Sequence, residues 1–283
     1  MFLIAWSLIP PDVANVTAFL LLGGLSAMLV SAAKAGFGGT IGVLSFPIMV
    51  YAYGGDAMSA AGTTLPLLVA TDLVALASWW RKWNWRAAWM MLPGAMVGIA
   101  AGGAALWALR HLGGSVEATK TSTDVANAAL MLIVGVISVG FVIIQAVSAM
   151  RGRALAFRPV PWQGAAAGGA AGLTSTLAHA AGPVATMYLL PQQMPKGTYV
   201  ATTVVFFAIV NQLKLIPYIA MGLINTATLG AGLVLLPGVI VGAILGIKLH
   251  GRIPQWKFTA IVYTLLAIAG AHMTYKGLSV LLP

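Results

Sequence analysis

The sequence predicts an all-α polytopic membrane protein. Hydrophobic residues make up 60% of the 283 residues and charged residues only 7%, against roughly 25% charged in soluble domains. The mean hydropathy is +0.95. Several apolar runs also reach the roughly 18–20 residues that a bilayer-spanning helix needs. The loops between them are short, so no separate soluble domain is expected and the bilayer itself is the principal partner. The net charge of +10 fits a positive-inside bias, and no nucleic-acid partner is expected. The chain has no cysteine, which excludes a disulfide, a thiolate metal site and a cysteine nucleophile. The opening MFLIAWSLIPPDVAN lacks a basic n-region and a cleavage site, so it is not expected to be a cleaved signal peptide.

Ten apolar segments are predicted: 14–33, 41–53, 59–80, 86–109, 124–150, 161–178, 182–192, 198–220, 226–247 and 255–281. The second and seventh are short for a crossing. Each adjoins a glycine-containing break, AGFGG (35–39) and HAAGP (179–183). Basic residues gather in RKWNWR (81–86), in RGRALAFR (151–158), at Lys196, and at Lys248, Arg252 and Lys257. With alternating segments these fall on one side, while Asp12, Asp56, Glu117 and Asp124 fall on the other. The bias places the basic side in the cytoplasm and both termini outside. Trp79, Trp80, Trp83, Trp85 and Trp89 bracket one basic turn, the pattern of an interfacial aromatic belt.

The two halves match each other. LPGAMVGIAAGG (92–103) and LPGVIVGAILGI (236–247) share L-P-G-x-x-x-G-x-x-x-G. GTTLPLLVATD (62–72) aligns with ATTVVFFAIVN (201–211), placing Asp72 on Asn211. The breaks ending at Gly39 and Gly182 also correspond. This divides the chain into repeats 1–150 and 151–283, each of five segments. Three or five crossings per repeat would invert the second relative to the first. Inverted repeats with broken or re-entrant helices near the midplane are a secondary-transporter architecture, with the substrate site where the broken helices meet. Gly94, Gly98, Gly102, Gly238, Gly242 and Gly246 are read instead as close helix packing through small residues.

The polar residues at depth sharpen the expectation. Lys34 is the only charge in LLGGLSAMLVSAAKAGFGGTIGVLSFPIMVY, and a lysine at mid-bilayer costs roughly 2.5–3.5 kcal/mol on insertion scales. The amides of Gly38, Gly39 and Thr40 would open the next helix, where free N–H groups favour an anion. Lys34 with these amides therefore reads as half of an anion site; the alternatives are snorkelling to the interface or pairing with Asp72. In the second half, Thr174, Ser175, Thr176 and His179 precede the break at Gly182. They offer hydroxyls and an imidazole without fixed negative charge, and His179 can also carry a coupling proton. Asp72 could balance Lys34, relay a proton or bind Na⁺. Asn211 and Lys214, three apart, share a helix face, and Lys214 could also snorkel. Thr63, Thr64, Thr202 and Thr203 could line a path, although bonding to their own helix is the plainer reading.

No Walker A motif, HExxH, HxxxH, paired carboxylates or G-x-S-x-G elbow occurs. Neither an enzyme nor a cofactor or metal is expected.

The chain resembles the sulfite exporter TauE/SafE family, also called the TSUP permeases, over essentially its whole length. The resemblance rests on G-x-x-x-x-x-x-S-x-x-K-x-G-F-G-G (Gly24–Gly39), GTT followed by WRKWNWR, T-S-T-L-A-x-x-x-G-P, and F-x-x-x-N-Q-L-K-L-x-P-Y (Phe207–Tyr218). The family's glycine triplet reads Gly38-Gly39-Thr40 here, and Ala181-Gly182-Pro183 in the second half. The resemblance implies a multi-helix carrier in the bacterial inner membrane, more often exporting than importing. Its substrates would be sulfite, sulfoacetate or other organosulfonates, or thiosulfate. The rival expectations are a channel, a carrier for another small anion such as a carboxylate, and a non-transporting assembly partner. A homo-oligomer is compatible with every one of these readings.

Overall fold

The computed structural model describes residues 13, 15–37, 40–112, 122–150, 160–249 and 255–282. Within these residues the protein is all-helical, with ten principal helices. A turn Val16–Ala18 and a π-helical turn Phe19–Gly23 run without interruption into α1 (Gly24–Phe37). A 3₁₀ turn, Thr40–Leu44, leads into the short α2 (Ser45–Ala52). Then come α3 (Ala57–Ser78), α4 (Trp85–Leu112) and α5 (Ser122–Met150). The second half holds α6 (Pro161–Ala178), the short α7 (Ala181–Leu189), α8 (Lys196–Ala220), α9 (Thr226–Leu249) and α10 (Gln255–Leu281). Among the described residues, six stretches are long and apolar enough to cross a membrane: Val16–Gly36, Ala57–Ser78, Trp85–Leu109, Val125–Ile144, Lys196–Ala220 and Thr226–Leu249. α2 and α7, at 8 and 9 residues, are too short to cross alone.

Local chemistry sets the helix ends. Asp56 caps α3, its side chain accepting from the N–H groups of Met58 and Ser59, both at 3.1 Å. Asn225 does the same for α9 through Ala227 and Thr228 at 3.0 Å. α6 stops because His179 takes the left-handed conformation, φ 50° and ψ 29°. Of the tryptophans expected to form a belt, Trp80, Trp85 and Trp89 are exposed, Trp83 makes edge-on contacts with Trp80 and Trp85, and Trp79 turns inward to donate to the Ala35 carbonyl at 2.8 Å.

The tightest packing joins helices from different halves: α4 against α6, and α9 against α1. Glycines make both contacts possible. A methyl group at Gly94 or Gly98 would overlap the carbonyl of Ala165 or Gly169. From the other side, one at Gly168 or Gly172 would overlap Met91 or Ala95. Along α9, Gly242 and Gly246 meet the carbonyls of Met28 and Ala32 in the same way, and Gly238 abuts that of Gly24. The L-P-G-x-x-x-G-x-x-x-G stripes are thus helix-packing surfaces, as expected, with backbones close enough for Cα–H···O contacts. Substituting Gly98→Leu should cost about 1–3 kcal/mol, the usual range for overpacking, and lower the thermal midpoint in detergent. A midpoint equal to that of the wild type would contradict this packing.

α3 and α8 run through the middle, touching each other and the glycine-packed pairs, and α5 lies along α10. The 3₁₀ turn beside α1 meets α7, so the two broken hairpins face one another. The buried apolar residues form two clusters. One is built mainly from α1, α2, α3, α5, α9 and α10, the other mainly from α4, α6, α7 and α8.

Candidate functional site

Between the two hairpins lies a cluster of buried polar groups. Lys34, in the last turn of α1, sits where the negative end of that helix favours a cation. Its ammonium donates to Asp72 Oδ1 on α3 at 2.6 Å. The other carboxylate oxygen, Oδ2, accepts from Asn211 Nδ2 on α8 at 2.6 Å. Asp72 and Asn211, paired by the internal sequence match, are therefore in direct contact. The Phe207 ring lies 5.6 Å from Lys34 Nζ and adds a cation–π contribution.

One helical turn beyond Asn211 is Lys214, which is 0% exposed. Its Nζ donates to the Ser175 carbonyl at 2.8 Å and to Ser175 Oγ at 3.1 Å, and lies 3.0 Å from His179 Nδ1. Three acceptors match the three protons of an ammonium. Among the described residues no carboxylate lies within 4.0 Å of it; the one ion pair there is Lys34–Asp72. With both lysines protonated, the cluster of two lysines and one aspartate carries a surplus of one positive charge in a low-dielectric setting. Tyr218 closes this side, its hydroxyl donating to the Thr176 carbonyl at 2.7 Å and lying 3.4 Å from His179 Nε2. The edge of Phe46, from the opposing hairpin, packs on the His179 ring with centroids 4.9 Å apart.

A cavity of about 20 Å³ opens at the centre. Lys34, Ser175, His179, Asn211 and the backbone of Gly182 line it, with Val30, Leu68 and Phe207 as walls. α7 begins here, and its N-cap, Ala180, makes no side-chain capping bond. That volume holds about one water and is too small for a sulfur anion with three oxygens. Admitting one requires these side chains or hairpins to move apart. A larger recess of about 450 Å³ between α4 and α8 is lined by apolar residues such as Met96, Trp107, Ile216 and Pro217. It faces outward and offers no charged group.

Of the expected site residues, Lys34, Ser175, His179, Gly182 and Asn211 meet at the cavity, and Asp72 and Lys214 adjoin it. Thr174 and Thr176 do not present their hydroxyls there. Each donates to its own helix, to Ala170 and Gly172 respectively, at 2.8 Å. Thr40 begins the 3₁₀ turn, whereas Gly38 and Gly39 lie outside the described residues. Thr64, Thr202 and Thr203 also bond to their own helices, while Thr63 Oγ1 and Tyr53 OH bond to each other. Tyr218 and Phe46 escaped the sequence reading. Tyr218 had a usable signal, because it follows Asn211 and Lys214 by seven and four residues on one helix face.

Fold and site together define a polytopic membrane protein built around a buried, positively charged polar cluster between two broken hairpins. Residues 19–273 match the family model of the sulfite exporter TauE/SafE, and the chain belongs to that family, one of membrane anion transporters. No curated protein and no solved structure matches the chain.

Proposed function

We propose that the protein is a secondary transporter of small sulfur-containing anions such as sulfite, sulfoacetate, other organosulfonates or thiosulfate, and that it works as an exporter by alternating access. The observation that carries this reading is Lys214, an ammonium with no exposure and no carboxylate partner. A buried charge without a counter-ion costs several kcal/mol, and a bound anion offsets that cost. Lys214 supplies the unmatched charge, and Lys34, balanced by Asp72, supplies a hydrogen-bond donor. Ser175, Asn211 and His179, together with the amide of Gly182, supply hydrogen bonds. On the sequence reading, the amides of Gly38, Gly39 and Thr40 would complete the cradle; Gly38 and Gly39 lie outside the described residues. No step in this cycle makes or breaks a covalent bond in the cargo, so the protein is not an enzyme.

Repeats spanning 1–150 and 151–283, inverted with respect to each other, fit the way contacts exchange partners between halves. α1 packs on α9 as α6 packs on α4. The protein resides in the bacterial inner membrane with both termini outside the cytoplasm, as the basic loops require. An inside-negative potential then favours anion exit by about 2.3 kcal/mol per charge per 100 mV, so export needs no driving ion.

The test is thermal stability of the purified protein with sulfite, sulfoacetate, thiosulfate, sulfate, acetate and chloride in turn. An anion at 100 times its Kd should stabilise the folded state by about 2.7 kcal/mol. Sulfur oxyanions or sulfonates are expected to raise the midpoint in the wild type and not in Lys34→Ala. Acetate acting as well as the sulfur anions would move the reading to carboxylates, and indifference to all six would overturn it.

A further inference from the structure

The hydrogen bonds around His179 run in one direction. An ammonium only donates, so His179 Nδ1 accepts from Lys214 at 3.0 Å. The ring proton therefore sits on Nε2, which faces the Tyr218 hydroxyl at 3.4 Å and also the backbone of Ala61. The Tyr218 hydroxyl donates its own hydrogen bond to the Thr176 carbonyl at 2.7 Å. In this arrangement the imidazole is neutral. A second proton on Nδ1 would set one N–H donor against another.

The charges around the ring complete the argument. On α8, Lys214 and Tyr218 face it, and on α2 the neutral Phe46. Lys34 on α1 adds a second positive charge, but it is held by Asp72 on α3, the one carboxylate of the described cluster. α7 presents only Ala181 and Gly182 at the cavity. With Lys34 and Asp72 cancelling, Lys214 matches one negative charge. A dianion would leave one charge unmatched.

We propose that a dianionic substrate is bound together with one proton, taken up on Nδ1 of His179 when the anion draws Lys214 away. This rests on the anion-transport reading above. The Lys214 Nζ–H···Nδ1 hydrogen bond is given up, and an Nδ1–H bond forms with a proton supplied by the acid form of the bulk buffer, which is left as its conjugate base. The new N–H donates to an anion oxygen. Two positive groups then face two negative charges, and one net negative charge crosses per cycle. Monoanions need no proton.

His179 sits at the break between α6 and α7 in a left-handed backbone conformation. Asparagine tolerates that conformation better than most residues, so His179→Asn removes the proton site and keeps the turn. Binding of sulfoacetate, doubly ionised at neutral pH, and of methanesulfonate, singly charged, is measured calorimetrically at pH 7. Buffers of different ionisation enthalpy report the protons exchanged. Wild-type protein should take up about 0.5–1 proton per sulfoacetate and none per methanesulfonate. Raising the pH should weaken sulfoacetate binding by up to about tenfold per unit. His179→Asn should bind sulfoacetate more weakly, with no proton uptake and a flat pH profile.

Sulfoacetate binding without proton uptake would overturn the coupling and leave anion transport standing. So would equal uptake for both anions, a comparison that needs no variant. Uptake unchanged in His179→Asn would place the proton elsewhere and overturn the assignment. Failure of the wild type to bind either anion would overturn the transport reading and this inference with it.

Discussion

Lys214→Met should make the anion-free protein more stable and leave it unable to transport. Lysine and methionine have similar length, and the Ser175 carbonyl keeps its helical bond from the His179 N–H. The substitution therefore removes an unpaired buried cation at little packing cost. Replacing buried charge with apolar side chains is often stabilising by about 1–4 kcal/mol, on the order of 5 °C in the midpoint for a chain of this size. The same change deletes the charge that, on the proposed reading, a cargo anion neutralises. Transport into liposomes should fall roughly 100-fold or more, in line with the loss of a buried charge pair. A residue kept for packing alone would behave in the opposite way, with stability falling and transport declining only in proportion. A lower midpoint with transport retained would remove Lys214 from the site.

Asp72→Leu should be the most damaging single change in the cluster. It strands Lys34, which is 5% exposed, and removes the acceptor of Asn211. Breaking one side of a buried ion pair costs about 3–5 kcal/mol. The double variant Lys34→Met with Asp72→Leu should recover much of that loss, because the stranded charge goes too. The interaction energy from the double-mutant cycle measures the coupling directly. Recovered stability without recovered transport would separate the pair's role in folding from its role in the cycle. A double variant no more stable than Asp72→Leu would mean that Lys34 does not depend on this carboxylate.

Much of this was legible in the sequence because charge is rare in it. Lys34 and Asp72 stand out within apolar runs, and the breaks beside α2 and α7 are written in glycine. Lys214 was harder to place. It lies six residues from the end of α8, which suggested snorkelling, but position along a helix does not report which neighbours cover it. The three consecutive hydroxyls Thr174, Ser175 and Thr176 looked equivalent in sequence. Successive helical residues point about 100° apart, so only Ser175 reaches Lys214. Tyr218 shares a helix face with Asn211 and Lys214, but its partner is the Thr176 backbone carbonyl, which no sequence pattern encodes. The π-helical turn at Phe19–Gly23 had no visible signal either.

The glycine stripes have a consequence for how such a machine moves. Each stripe locks a helix of one half to a helix of the other, backbone against backbone, so the two halves of the chain cannot swing apart as units. On the alternating-access reading, the bodies that separate would follow the two apolar clusters. One rides on the α1–α9 clamp, the other on the α4–α6 clamp, and the cationic cluster lies at the seam, with Lys34 on the first and Ser175 on the second. Gates working in this way would be hinged between bodies assembled from both halves. Because the chain is free of cysteine, introduced thiol pairs would report this cleanly. A bridge within either clamp should be silent, and a bridge across the seam should freeze the cycle.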